Sequence, residues 1–191
     1  MPIPFCIQCT LPESHCICES APNLTFPSQV SVLFHPRELE RRNSTGRLLK
    51  RCCHIESHTW HRLKNEQLSQ KFQDFALIYP EEESSQPCSS QSAPSENAVK
   101  GYLWIDATWQ ESKKMLRQSP WLNLLPKYSL KATSSQYLLR RNQTSEGLST
   151  MESMALWLAE QNQTKSSQDL LHFFQLFQDR FLTARNAGLF K

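Results

Sequence analysis

Four cysteines stand within the first 18 residues: Cys6, Cys9, Cys16 and Cys18. Their spacing is C-x2-C-x6-C-x-C. Thiolates suit Zn²⁺, and four of them close a tetrahedral structural site with no open position. A disulfide framework is the poorer reading, because the opening Met-Pro-Ile-Pro-Phe carries neither the basic stretch nor the long apolar stretch of an export signal. Pro12, Glu13 and Ser14 make a turn that brings the second pair back toward the first. The bland alternative is four reduced thiols on a loose tail. C-x-C is tighter than the commoner C-x2-C, and His15 stands beside a shell that four sulfurs already fill. Cys52 and Cys53 read as small core or surface residues, and Cys88 is left over.

A second set of residues gathers where strands end and helices begin: His35/Arg37/Glu38, Thr45/Gly46, Tyr79/Pro80, Asp106/Thr108/Trp109, Arg140/Arg141 and Ser149/Thr150/Glu152. In parallel α/β proteins the C-terminal edge of the sheet is the binding edge. Asp106 is the leading candidate, because a carboxylate closing an apolar strand needs a partner or a task. The chain has no G-x-G-x-x-G, no P-loop and no G-x-S-x-G elbow. Dinucleotide binding, NTP hydrolysis and nucleophile-elbow hydrolysis therefore gain no support. Each group also has an ordinary reading. Thr108/Glu111 and Ser149/Glu152 can be helix caps alone, Arg140-Arg141 a solvated pair, and Trp109 or His172 mere packing.

The elements that must position these groups follow from periodicity. Val30–Phe34, Phe75–Tyr79 and Tyr102–Asp106 are short apolar runs that predict buried strands, and 128–130 reads as a fourth. Helices are predicted from Arg47 to Cys53, over 64–72, from the Thr108-x-x-Glu111 capping box to Gln118, after Ser149-x-x-Glu152, and over 167–184. The helix after Ser149 places Met151, Met154, Ala155, Leu158 and Ala159 on one face. The last helix stripes Leu170, Phe173, Phe174, Phe177 and Phe181 at helical spacing, a core pattern. Strands alternating with helices predict an α/β fold with a largely parallel sheet. Strand order is not legible. Residues 81–99 are Ser- and Glu-rich and read as a mobile surface loop. The organisation expected is a four-cysteine zinc module over 1–28 and an α/β domain over 29–191.

The 191 residues are 39% apolar and 20% charged, with a formal net charge of +3. That apolar content supports a buried core and argues against wholesale disorder. The mild positive charge permits a nucleic-acid partner without demanding one. No apolar run approaches the roughly 20 residues of a membrane helix. The expectation is a cytoplasmic protein without a membrane partner. Oligomeric state stays open.

Asp106-Ala107-Thr108-Trp109, followed by Lys114-Met115, resembles the Asp-x-Thr-Trp signature of the DTW-domain family. The N-terminal cysteines, His35-Pro36-x-Glu38, Ser44-Thr45-Gly46, Leu77-Ile-Tyr-Pro80, Tyr137-x-x-Arg140-Arg141 and Leu148-Ser149-Thr150-x-Glu152 follow in the family's order over about residues 5–160. Ala107 departs from the usual Gly and restricts that loop to φ < 0. The resemblance implies a tRNA-uridine aminocarboxypropyltransferase, which moves the 3-amino-3-carboxypropyl group of S-adenosylmethionine to N3 of a uridine and leaves 5′-methylthioadenosine. It also implies a SPOUT-like sheet with a C-terminal trefoil knot.

By that resemblance Asp106 is the candidate base or ligand anchor. Thr45, Gly46, Tyr79, Pro80, Asp106, Thr108, Trp109, Leu148, Ser149, Thr150 and Glu152 are candidate S-adenosylmethionine contacts, gathered in one pocket. Arg37, Lys113, Lys114, Arg117, Arg140 and Arg141, with Lys127, are candidate tRNA contacts. Two other readings compete: a SPOUT-like RNA methyltransferase, which attacks the methyl carbon instead, and a non-enzymatic zinc and RNA-binding adapter, which would not bind S-adenosylmethionine.

Overall fold

The computed structural model describes residues 3–53, 55–63, 65–80, 99–130, 137–139 and 147–190. The stretch expected to be a mobile loop, and Arg140 and Arg141, fall outside these residues (Val99 excepted). In chain order the strands are β1 (Gln29–Phe34), β2 (Glu56–Thr59), β3 (Phe75–Ile78), β4 (Gly101–Asp106) and β5 (Lys127–Tyr128). The helices are α1 (Pro36–Glu40), α2 (Thr45–Cys52), α3 (Asn65–Phe72), α4 (Trp109–Gln118), α5 (Trp121–Leu124), α6 (Thr150–Glu160) and α7 (Thr164–Asn186). The chain divides into two compact units. One comprises residues 26–38 and 55–131, the other 1–25, 39–54 and 132–191.

The first unit is a five-stranded sheet of order β2-β1-β4-β3-β5. Every pairing is parallel. Its central strands are apolar on both faces, as a parallel sheet covered on both sides requires. The first three expected strands are present, and the fourth, expected over 128–130, lies instead at Lys127–Tyr128. β2 carries no apolar signal. It is Glu-Ser-His-Thr, a polar edge strand paired through Ser31↔Glu56 and Phe34↔Thr59. The four-residue α5 follows Pro120. The core joins Leu33, Leu77 and Leu103 from the strands to Phe72, Met115, Trp121 and Leu122 from the helices. Phe72 meets Phe75 edge-on at 5.1 Å and lies nearly parallel to Trp121 at 6.2 Å, both favoured aromatic geometries.

The second unit is helical. α7 packs on α6, and α6 on α2. Met151, Met154, Ala155, Trp157 and Leu158 of α6 are buried, as are Leu170, Phe173, Phe174 and Phe177 of α7. Two positions depart from the expected stripes: Ala159 is exposed and Phe181 only half-buried. Phe181 still packs on Phe177 and Phe190, with ring centroids 5.7 and 4.4 Å away. The link from α6 to α7 is a Schellman turn. Asn162 takes φ +59°, with its N–H on the carbonyl of Ala159 at 3.1 Å and the Gln163 N–H on that of Leu158 at 2.8 Å. Gly188, at φ +69°, closes α7 in the same way, the N–H of Leu189 reaching Ala184 O at 3.0 Å.

Candidate active site and metal centre

The first candidate site is the C-terminal edge of the sheet. β1 and β4 run side by side in register, Phe34 opposite Asp106. The chain then leaves each strand at once, His35 donating its N–H to Asp106 O at 2.9 Å. Asp106 is only 5% exposed. Two residues on, Thr108 caps α4 with a complete capping box. Glu111 Oε2 accepts from Thr108 N–H at 3.0 Å and from its hydroxyl at 2.7 Å. The Glu111 N–H returns to Thr108 Oγ1 at 3.3 Å.

Glu111 does more than cap. Its second oxygen, Oε1, lies 3.6 Å from His35 Nδ1 and 3.8 Å from an Arg37 guanidinium nitrogen. The imidazole of His35 stacks on Trp60 at 5.7 Å, and the Trp60 indole N–H donates to Ser119 Oγ at 2.9 Å. A buried carboxylate thus connects the turn after β1 to the cap after β4. In the sequence Glu111 reads as a cap residue alone, and Trp60 does not stand out. No local motif signals either contact, because the partners come from separate strands.

Tyr79, just past β3, stacks on Trp109 with centroids 5.4 Å apart and planes within 12°. Its hydroxyl is 3.4 Å from Ser112 Oγ. Trp109 is nevertheless 46% exposed, so its packing leaves much of the indole in solvent. Lys113 Nζ sits 5.0 Å from the Trp109 centroid, and Lys127 Nζ 5.8 Å from that of Tyr79. These are cation–π distances. Lys114 and Arg117 are exposed on α4, and the Arg37 side chain is also solvated. Within this unit the sheet edge therefore brings together His35, Arg37, Asp106, Thr108 and Glu111, with Trp109 of the capped helix stacked on Tyr79 from the end of β3.

In the helical unit, Ser149 caps α6 with a second complete capping box. Glu152 Oε2 accepts the Ser149 N–H at 2.7 Å. Ser149, Thr150 and Glu152 are all buried. Thr45 and Gly46 are buried in the first turn of α2, after the N-cap Ser44.

The four N-terminal cysteines converge, with all their sulfurs within 4.8 Å of one another. Cys6 and Cys18 Sγ are 3.6 Å apart, and Cys9 and Cys16 Sγ 3.8 Å. A tetrahedron with Zn–S bonds of about 2.3 Å places its sulfurs about 3.8 Å apart, so these residues fit a zinc ion. The knuckle is a hairpin, in which Cys6 donates to Leu11 O at 2.8 Å and Thr10 to Cys6 O at 2.9 Å. Thr10 takes φ +62° to make the turn. Burial raises the Cys9 and Cys18 thiols. Burial also pushes Cys6 up, but backbone donors at Cys9 and Gln8 and the thiols of Cys16 and Cys18 outweigh it and bring Cys6 to about 7. Cys52 and Cys53 are buried in the core, where burial raises their thiols, Cys53 to about 12. They are packing residues, not nucleophiles.

The family model of the DTW domain matches residues 3–182. The chain belongs to the DTW domain family. The match takes in the cysteine knuckle and both capping boxes of this DTW protein. A curated relative, tRNA-uridine aminocarboxypropyltransferase 2 of Drosophila melanogaster, is 28% identical over 171 residues, covering 81% of this chain and 65% of the relative. This chain therefore spans just under two thirds of that protein's length. No solved structure matches significantly. None of the described helices is long and apolar enough to cross a membrane.

Proposed function

We propose that this DTW protein transfers the 3-amino-3-carboxypropyl group of S-adenosylmethionine to N3 of a tRNA uridine and releases 5′-methylthioadenosine. Family membership and the name of the relative support the reaction class. The observation that carries it is Asp106, a buried carboxylate at the C-terminal edge of a parallel sheet, followed directly by a capped helix that presents Trp109.

The sulfonium of S-adenosylmethionine has three carbons open to attack. Selectivity is therefore geometric: the γ-carbon of the methionine arm must face the nucleophile and the methyl group must be hidden. Uridine N3–H gives up its proton, N3 bonds to the γ-carbon, and the carbon–sulfur bond breaks with its electrons going to sulfur. The product is a neutral thioether, so the leaving group needs no covalent help. Asp106 takes the N3 proton or anchors the ligand's ammonium. Tyr79, Pro80, Thr108 and Trp109 line the ligand, the exposed indole face being suited to a sulfonium.

Thr45, Gly46, Leu148, Ser149, Thr150 and Glu152 are further proposed ligand contacts, the last four around a helix N-terminus whose N–H groups suit a carboxylate. The Glu152 carboxylate itself already serves the cap. Arg37, Lys113, Lys114, Arg117 and Lys127, with Arg140 and Arg141, are proposed tRNA contacts. Cys6, Cys9, Cys16 and Cys18 would hold a structural Zn²⁺, which fixes the N-terminal module of residues 1–28 and takes no part in the transfer. The SPOUT-like threading of residues 29–191, knot included, and a cytoplasmic location belong to the same proposal.

The test incubates the pure protein with unmodified tRNA and labelled S-adenosylmethionine and identifies the nucleoside by mass spectrometry. An aminocarboxypropyl adduct supports the proposal. A methyl adduct makes the protein a methyltransferase instead, and no binding of S-adenosylmethionine makes it an adapter. Asp106→Asn is expected to abolish transfer and leave the fold intact. Normal turnover in that variant would remove both the base and the anchor role.

A further inference from the structure

A groove of about 500 Å³ opens in the helical unit between the cysteine knuckle and α2, lined by Ile7, Gln8, Leu39, Arg47, Lys50 and Arg51. None of these six lining residues is acidic. Arg47, Lys50 and Arg51 stand at i, i+3 and i+4, so they share one helix face. Two of the three are held by the knuckle itself. Arg47 donates to Leu39 O at 2.9 Å and to Ile7 O at 3.5 Å, and Arg51 donates to Cys18 O at 3.2 Å. Each planar guanidinium keeps other N–H groups for a further acceptor. Ile7, at the knuckle tip, is 88% exposed. Lys50 is an exposed residue of the same face, and partial burial and then the charge of Arg47 lower its affinity for the proton. A bound anion would relieve that pressure.

We infer that this groove holds the sugar–phosphate backbone of the RNA substrate, with Lys50 as a direct phosphate contact and the metal-bound knuckle as the wall that aims Arg47 and Arg51. None of these three cations is among the tRNA contacts read from the sequence. The inference rests on the reading of the protein as a tRNA-modifying enzyme. A groove whose charged lining residues are all cations suits a polyanion strand, and guanidinium forks suit phosphate oxygens.

The experiment measures binding of a fluorescein-labelled, unmodified tRNA transcript to the full chain by anisotropy across a salt series, with S-adenosylmethionine binding measured by calorimetry on the same samples. Lys50→Gln is expected to weaken tRNA binding about 5- to 10-fold and to reduce the slope of log K against log salt by about 1. Lys50→Glu weakens it further, and both variants bind S-adenosylmethionine as the wild type does. Removing the metal with a chelator is expected to weaken tRNA binding too, because Ile7 O and Cys18 O are then no longer fixed. Both Lys50 variants matching the wild type in affinity and slope would overturn the inference alone. Wild-type protein with no affinity for tRNA would overturn it together with the proposed function. Unchanged affinity after metal removal would overturn the role given to the knuckle.

Discussion

Replacing Glu111 tests whether one carboxylate ties the sheet edge together. Glu111 is 8% exposed and accepts two hydrogen bonds from Thr108, at 3.0 and 2.7 Å. Glu111→Ala leaves both donors without that acceptor. Hydrogen bonds to a charged group contribute about 1.5–3 kcal/mol each, less where water can substitute. Thr108 is half-buried, so about 1 kcal/mol for each is the appropriate figure. The ion pair with Arg37 adds only a fraction of a kcal/mol, because that side chain is 74% exposed. The contact with buried His35 adds a similar amount. The sum is about 2–3 kcal/mol. A chain of this size loses about 3 °C of Tm per kcal/mol, so the expected drop is about 6–9 °C.

Glu111→Gln keeps a carbonyl oxygen for one Thr108 donor and should lose about 1 kcal/mol, or about 3 °C. Thr108→Ala removes the cap hydroxyl and should cost about 1 kcal/mol. The double variant Thr108→Ala/Glu111→Ala must then fall short of the sum of the singles by at least about 0.5 kcal/mol, since both remove the same bond. Calorimetry of the four proteins decides the matter. A Glu111→Ala shift under about 1 °C, or strict additivity, would show that the carboxylate does not make these bonds in solution.

Three further outcomes follow from other parts of the chain. Metal analysis of the purified protein should find one zinc per chain; zinc affinity should rise with pH, because binding displaces protons from thiols, and the rise should ease by about one proton above pH 7, where Cys6 is already a thiolate. Equal affinity at about pH 6 and about pH 8 would exclude thiolate ligation. Gly101→Ala places a Cβ 2.5 Å from Gln29 O and 2.8 Å from Phe75 Cε1; it should destabilise by about 1–3 kcal/mol, and a raised Tm would contradict the register of β1, β4 and β3. Phe177→Ala empties a fully buried position on α7 and should cost about 3–5 kcal/mol by denaturant unfolding; a loss under about 1 kcal/mol would mean that the helical core is not packed as described.

What the sequence disclosed was what neighbours along the chain determine. β1, β3 and β4 are apolar runs bounded by Pro, Gly or a carboxylate, so their limits were legible to within a residue or so. Both capping boxes were legible because the box is four residues long. The knuckle was legible because four cysteines so closely spaced form the pattern that a tetrahedral metal site would require. β2 was not, because an edge strand can be polar throughout and pairs through its backbone. The order β2-β1-β4-β3-β5 was not, because it depends on which strand each crossover returns to, and the connecting helices do not encode that. α7 begins at Thr164, three residues before the predicted start at 167 and six before its apolar stripe opens at Leu170, since polar first turns carry no periodic signal.

The same limit explains the candidate site. Thr108-x-x-Glu111 and Ser149-x-x-Glu152 are the same word in sequence, and each does the same local work at a helix start. In the first, one carboxylate oxygen satisfies the cap and the other faces His35 and Arg37, which lie more than 70 residues earlier. They arrive there because β1 pairs with β4 in parallel, Phe34 opposite Asp106, so that both strands release their chains at one edge. A cap needs only one oxygen, which leaves a carboxylate at N3 with a second oxygen for whatever the topology brings near. Parallel pairing makes that neighbour the turn after the adjacent strand. The local word thus fixes where the charge stands, and the sheet determines what it meets. That division is why the charge itself was visible in the sequence and its partners were not.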